Sequence, residues 1–283
     1  MRELGLLALA VLANAQTPPP LGELVDVGGY KVHFYCTGQG SPTVMITGAG
    51  FSFDWGLVQP EVAKFTRVCT YDVAGTAWSD AGPPPTCAVR VKEIHSLLQK
   101  SEGAYVLVGL SIGALVARLY ADQYPKAVAG MVIVDHAFLD PERKSAPPAV
   151  DENGVTRPVL IFQTPIDATV EDISHFEKLP ERNRQMHRWA MSLNPLRPTV
   201  EVARECAAQV KPSLGTMPLA VISTGNQDAA YKRLQQELLK LSPNSRQHMA
   251  TGSMHAVEID QPEVVIEAIR EIADKVRLAS SRR

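Results

Sequence analysis

The first chemical signal is the pentapeptide Gly109-Leu110-Ser111-Ile112-Gly113, a G-x-S-x-G pattern. It follows the apolar run 105–108 and opens the amphipathic stretch 112–120, so the serine falls between a strand and a helix. On such a sharp turn the hydroxyl stands clear of the backbone, and glycines two before and two after remove side chains that would collide. The helix N-terminus behind it offers backbone N–H groups and a dipole that favour developing negative charge. That is the setting of a nucleophile for acyl transfer. Such a serine needs a base, and His255 in Thr251-Gly252-Ser253-Met254-His255 lies on a glycine-containing loop between a late strand and the last helix. An imidazole can take the Ser111 proton and return it to the leaving group near neutral pH. His248 falls inside the preceding strand, and His33, His95, His175 and His187 have no comparable setting.

Two aspartates compete to be the acid that orients His255. Asp135 ends the apolar run 131–134, and Asp228 follows the run 219–223 in Gly225-Asn226-Gln227-Asp228. Either carboxylate, at the end of a strand, can hold the imidazole and stabilise its cation. Asp72 reads as a turn brace, and Asp260 as a cap for the closing helix that begins at Pro262. A tetrahedral intermediate also needs an oxyanion hole. One donor is the N–H of Ile112, directly after the nucleophile. The other comes from the turn Thr47-Gly48-Ala49-Gly50, by position from Ala49, with Gly50 as the alternative. No Cys, His, Asp or Glu cluster has metal-ligand spacing, so no metal is expected.

The elements that must position these residues follow from hydrophobic periodicity. Short strands are expected at 24–27, 30–35, 43–46, 67–71, 105–108, 131–134, 219–223 and 247–250. Helices are expected at 89–99, 112–120, 229–241 and 262–276. Gly28-Gly29 joins the first two strands as a hairpin. Strands alternating with helices of about 10–15 residues indicate βαβ units and a mainly parallel sheet flanked by helices, an α/β fold. The alternation lapses across 136–213, where helical stretches near 170–178 and 181–191 read as a mostly helical cap inserted into one catalytic domain of residues 24–135 and 214–283. The apolar run 159–162 is compatible with a sheet strand as well, which would move the cap boundary.

Together these features resemble the α/β-hydrolase superfamily, and the similarity runs over about residues 28–276. More narrowly they look like a bacterial, esterase-like branch with a glycine-rich turn followed by tryptophan, here Gly48 to Trp55. That branch also carries a stretch matched by Tyr71-Asp72-Val73-Ala74-Gly75-Thr76-Ala77-Trp78-Ser79-Asp80, and a late Gly-x-x-His loop, here Gly252 to His255. The resemblance implies an α/β-hydrolase fold and a cofactor-free hydrolase, and it favours Asp135 over Asp228 as the acid. Three positions depart from the pattern. Leu110 stands where a histidine usually precedes the nucleophile, Val73 where an arginine follows Tyr-Asp, and Thr47 where the oxyanion turn commonly has histidine. Epoxide and haloalkane hydrolases resemble this fold but need an aspartate in the place of Ser111.

The expected function is hydrolysis of a small-molecule carboxylic ester through an acyl-enzyme. Lactone, amide or C–C bond cleavage use the same machinery, and a ligand-binding sensor on the same fold is the alternative from another class. A net charge of −2 over 283 residues supplies no field for nucleic acid or an anionic membrane. Residues 1–15 read as a signal peptide: Arg2 gives a positive start, 4–12 is unbroken apolar chain, and Ala13-Asn14-Ala15 is a small-residue cleavage site. That run is too short for a stable membrane anchor. Residues 16–23, with Pro18-Pro19-Pro20, read as a linker. A secreted or periplasmic location is therefore expected. Cys36, Cys69, Cys87 and Cys206 are compatible with disulfides there, but their pairing, like the oligomeric state, is not legible in the sequence.

Overall fold

The computed structural model describes residues 17–48, 50–99, 103–136, 149–150, 156–157, 175–193, 200–225, 229–253 and 255–281. In chain order the elements begin with β1 (Glu23–Asp26), β2 (Lys31–Thr37), β3 (Thr43–Thr47), a 3-10 turn (Ser52–Trp55), α1 (Gln59–Val62) and β4 (Val68–Tyr71). Then follow α2 (Cys87–Leu98), β5 (Tyr105–Leu110), α3 (Ile112–Gln123) and β6 (Val128–Val134). A small ladder of β7 (Ala149–Val150) and β8 (Thr156–Arg157) precedes α4 (Glu181–Leu193) and α5 (Val200–Gln209). The chain closes with β9 (Leu219–Thr224), α6 (Ala229–Leu239), β10 (Ser245–Ala250), α7 (Val257–Asp260) and α8 (Pro262–Ser280).

Eight strands form one sheet in the order β1-β2-β4-β3-β5-β6-β9-β10. The β1–β2 and β2–β4 pairs are antiparallel, and the other five are parallel. β3, β5 and β9 are buried along their whole length, which explains why they read as unbroken apolar runs rather than alternating ones. Successive side chains still go to opposite faces. Met45, Leu107, Met131 and Val221 pack with Ile94 and Leu97 of α2 and Leu115 of α3. Val44, Ile46, Val108, Val132 and Ile222 pack with Val265, Ile269 and Ile272 of α8 on the other face. The expected α/β-hydrolase architecture is present.

The 3-10 turn, α1, α5 and α7 go beyond the elements that periodicity predicts. The turn, α1 and α7 each hold a single turn of helix, too short for hydrophobic periodicity to register. The run 159–162 and most of 170–178 lie outside the described residues. Of the chain between β6 and β9, α4 docks on the 3-10 turn: Asn183 Nδ2 donates to the Phe53 carbonyl at 2.7 Å and His187 Nδ1 meets Asp54 at 2.7 Å. Trp189 packs on Trp78 with ring centroids 5.2 Å apart. α5 lies instead against α2 and α3.

All four cysteines are paired. Cys36 and Cys69 are direct partners in the β2–β4 register and form one disulfide, while Cys87, at the start of α2, is joined to Cys206 of α5. Among the described residues no helix is long and apolar enough to cross a membrane.

Candidate active site

The serine turn is as tight as its glycines imply. Ser111 has φ 55° and ψ −123°, a backbone region that side-chain-bearing residues rarely adopt. Its N–H donates to the Val134 carbonyl at 3.1 Å, which fastens the turn to the end of β6. A Cβ on Gly109 would lie 2.5 Å from the Ala114 Cα, and one on Gly113 would lie 2.1 Å from the Thr47 carbonyl oxygen. Backbone occupies both spaces, so no larger residue fits without moving a strand end. α3 starts directly at Ile112, whose N–H belongs to the first turn and has no partner within the helix.

The second wall is the turn after β3. The Thr47 hydroxyl donates to the Gly113 carbonyl at 2.9 Å and lies 3.2 Å from the Val108 carbonyl. Thr47, a departure from the family pattern, thus ties the turn after β3 to the serine turn. Ala49 lies outside the described residues. Gly50 is described, and a Cβ there would meet Asp54 Oδ2 at 2.6 Å, because that carboxylate folds back to accept the Phe51 N–H at 2.9 Å.

The Ser111 turn leaves the end of β5, Asp135 follows the end of adjacent β6, and His255 leaves the loop after parallel β10. All three therefore emerge at the carboxyl edge of the parallel strands, where open α/β sheets place their ligands. His255 Nδ1 lies 2.6 Å from Asp135 Oδ2. With Nδ1–H donated to the carboxylate, Nε2 is the basic nitrogen of the ring. Asp135 is nearly buried, has φ 36°, and its N–H donates to the Ile222 carbonyl of β9 at 2.9 Å. Asp228 lies outside the described residues.

Two groups beside this pair carry no sequence signal. The Tyr231 hydroxyl, from the first turns of α6, donates to Asp135 Oδ1. Burial, followed by the neighbouring Asp135 charge, raises this phenol far above its ordinary range, so it stays protonated and available as a donor. Glu258 of α7 is buried, and its Oε2 has no hydrogen-bond partner among the described residues. Burial, with the charges of Asp54, Asp260 and Asp135 behind it, pushes its carboxyl up to about 8, so it is mostly protonated at neutral pH.

The other assignments divide. Asp72 braces a turn, accepting from the Ser52 N–H at 2.7 Å and from His33 Nδ1 at 2.8 Å. His248 lies in β10 and meets Glu271 at 3.1 Å. Asp260 does not cap α8. It is the last residue of α7, the capping position falls to Gln261, and Asp260 instead pairs with Lys178 at 2.7 Å. The chain passes from one helix directly into the next, leaving no extended segment from which Asp260 could cap.

A parallel sheet covered by helices on both faces, with a strained serine at a strand end and a carboxylate–imidazole pair on the same edge, defines a hydrolase scaffold. This chain belongs to the alpha/beta hydrolase family, whose model matches residues 43–268. It is similar to the uncharacterized protein YqjL of Bacillus subtilis strain 168, with 24% identity over 244 residues, 83% of this chain and 84% of that protein. Over 129 residues it is 30% identical to the 2-hydroxymuconate semialdehyde hydrolase of Pseudomonas sp. strain CF600, covering 43% of this chain and 46% of that enzyme. Among solved structures it superimposes on an esterase from Thermogutta terrifontis with a TM-score of 0.64 and 22% identity, covering 87% of this chain and 94% of that one. That last likeness is one of fold.

Proposed function

We propose that this chain is a serine hydrolase that cleaves small carboxylic esters through an acyl-enzyme. Ser111 Oγ attacks the ester carbonyl while His255 Nε2 takes its proton, and Asp135 holds the imidazole and stabilises its cation. The tetrahedral oxyanion is received by the Ile112 N–H and by a backbone N–H of the 48–50 turn, assigned to Ala49. Collapse expels the alcohol, which takes the proton from His255. Water then enters, gives a proton to the same nitrogen as it attacks the acyl carbon, and collapse breaks the bond to Ser111 Oγ, which takes that proton back as the acid leaves. The observation that carries this reading is the 2.6 Å bond between His255 and Asp135 on the sheet edge that also bears the strained Ser111. α4, which docks on the 3-10 turn through Asn183 and His187, is read as part of a cap that shapes the substrate pocket.

A fluorophosphonate probe followed by peptide mapping tests the nucleophile. The expected label is on Ser111, and Ser111→Ala should abolish labelling and lower p-nitrophenyl acetate turnover by about 10⁶-fold without unfolding. An unlabelled but folded wild-type protein would point to a ligand-binding role instead. The partial match to the semialdehyde hydrolase favours one second reading, a related C–C bond hydrolase. Turnover of 2-hydroxymuconate semialdehyde in preference to the nitrophenyl ester would support it.

We also propose export of the mature chain from Gln16. Both disulfides fit an oxidising compartment, where such bonds persist. Expression with the native N-terminus should yield periplasmic protein lacking residues 1–15 and free of titratable thiols, as read by intact mass with and without alkylation. Full-length protein with four alkylated cysteines in the cytoplasm would overturn this.

A further inference from the structure

Asp135 is held from both sides. His255 Nδ1 occupies Oδ2, and the phenol of Tyr231 donates to Oδ1. The two donors reach it from different elements of the chain's last third. His255 comes from the loop beyond β10, and Tyr231 from α6, which packs on β9 and β10. The phenol oxygen in turn accepts from Thr224, the last residue of β9. A relay therefore runs from the end of β9 through a buried phenol to the carboxylate and on to the imidazole.

The carboxylate needs such a second hold. The terminal torsion of an aspartate is broad and two-fold, so one hydrogen bond does not fix the plane of the group. Asp135 also sits at φ 36°, where the backbone alone would relax toward a commoner conformation. A donor on the oxygen opposite His255 sets that plane and aims Oδ2 at Nδ1. It also draws electron density from the carboxylate, which tempers how strongly the acid favours the imidazolium.

We infer that Tyr231 is a positioning residue for catalysis, fixing the orientation of Asp135 and setting the basicity of His255 through it. This rests on the reading of Ser111, His255 and Asp135 as the catalytic set. Other titratable groups surround the pair. Glu258 faces it from α7, and His136 is next in the chain, within 3.3 Å of Arg118 from α3. Glu258 titrates at about 8, on the alkaline side, so the acid limb of the rate profile reports on the His255–Asp135 pair.

The test is a donor-strength series at position 231, with nitrophenyl ester kinetics from pH 5 to 9. Tyr231→Phe removes the donor, so kcat should fall about tenfold with KM little changed, the loss expected for one hydrogen bond to a charged group. Its carboxylate, now less neutralised, should favour the imidazolium more and move the acid limb of kcat/KM to higher pH. Replacement of Tyr231 by 3-fluorotyrosine gives a stronger donor in the same space and should move that limb to lower pH with kcat nearly retained. If the limb stays at its wild-type pH in the phenylalanine variant, whatever happens to kcat or melting temperature, Tyr231 is only a packing residue and the inference fails. Should the phenylalanine variant not fold, the fluorinated protein decides alone, and an unmoved limb overturns the inference. Asp135→Asn, run alongside, separates the two ideas. Normal turnover in that variant would mean the catalytic set is wrong, whereas an inactive variant leaves the shift of the acid limb to decide the role of Tyr231.

Discussion

Among the described residues, two of the His–Asp pairs, His33–Asp72 and His255–Asp135, stand near strand ends, one in each half of the sheet, and they join the same atoms. In the antiparallel half, His33 Nδ1 meets Asp72 Oδ2 at 2.8 Å, with the Ser52 hydroxyl 3.2 Å from the same oxygen. In the parallel half, His255 Nδ1 meets Asp135 Oδ2 at 2.6 Å. A serine hydroxyl joins the first pair directly, while Ser111 stands on the same sheet edge as the second. The pairs differ in what the far nitrogen meets. His33 Nε2 accepts the Gly22 N–H at 3.0 Å, and both His33 and Asp72 are fully buried, so that imidazole has no basic nitrogen to offer a substrate. His255 is 30% exposed over an almost buried Asp135. Ser52 also lies inside a 3-10 turn, whereas Ser111 is thrust out of the backbone at positive φ. The same residue types thus form one pair sealed from solvent and one partly exposed to it.

The sharpest way to break this comparison is to remove the negative charge from each pair in turn. Asp135→Asn should leave folding intact and lower kcat by about 10³–10⁴, because an amide holds the imidazole in the wrong tautomer and cannot support its cation. A similar loss from Asp228→Asn, with Asp135→Asn near normal, would move the acid to the other aspartate.

Asp72→Asn should do the opposite, with kcat within a few-fold of wild type but folding weakened by about 3 kcal/mol, as when one partner of a buried pair is removed. Urea denaturation with activity measured on the folded fraction distinguishes the two. A collapse of kcat at full stability would make the sealed pair part of the chemistry.

The smallest effect probes the ground near the open pair. Glu258 binds its proton more tightly folded, at about 8 against an ordinary 4.5. The folded state therefore holds an extra proton between those values, and the contribution of Glu258 to stability is full below the lower one and lost as pH rises through the upper one. The decline should be about 1 kcal/mol per pH unit, and Glu258→Gln should flatten it. Equal slopes for the variant and wild type in urea melts at pH 5, 6.5 and 8 would show that Glu258 ionises freely.

What can be read from the sequence follows the same division. The Ser111 turn is written in five consecutive residues, because the clashes that Gly109 and Gly113 avoid lie within or beside that turn. His255 is recognisable from its place after the last strand. The partner of His255 is 120 residues away, so Asp135 and Asp228 look alike until strand order puts β6 beside β5. Tyr231, Glu258 and the pairing of His33 with Asp72 have no signal, since burial and cross-chain hydrogen bonds leave no local pattern, although Asp72 alone reads as a turn brace. The Cys36–Cys69 bridge becomes legible only once β2 and β4 are seen to be neighbours in register.

The position of α5 has a consequence for how this scaffold can change. β6 and β9 are hydrogen-bonded parallel neighbours, and such strands need a crossover of a dozen or so residues. α5 packs against α2 and α3, is bolted to α2 through Cys206, and leads into β9, so it already supplies that crossover. The chain between His136 and α5 is then surplus to the sheet. We propose that it is an exchangeable module, bounded by the end of β6 and by the disulfide-anchored α5. Trading it for one of another length or sequence should change which molecules are admitted while Ser111, Asp135 and His255 keep their places at the sheet edge.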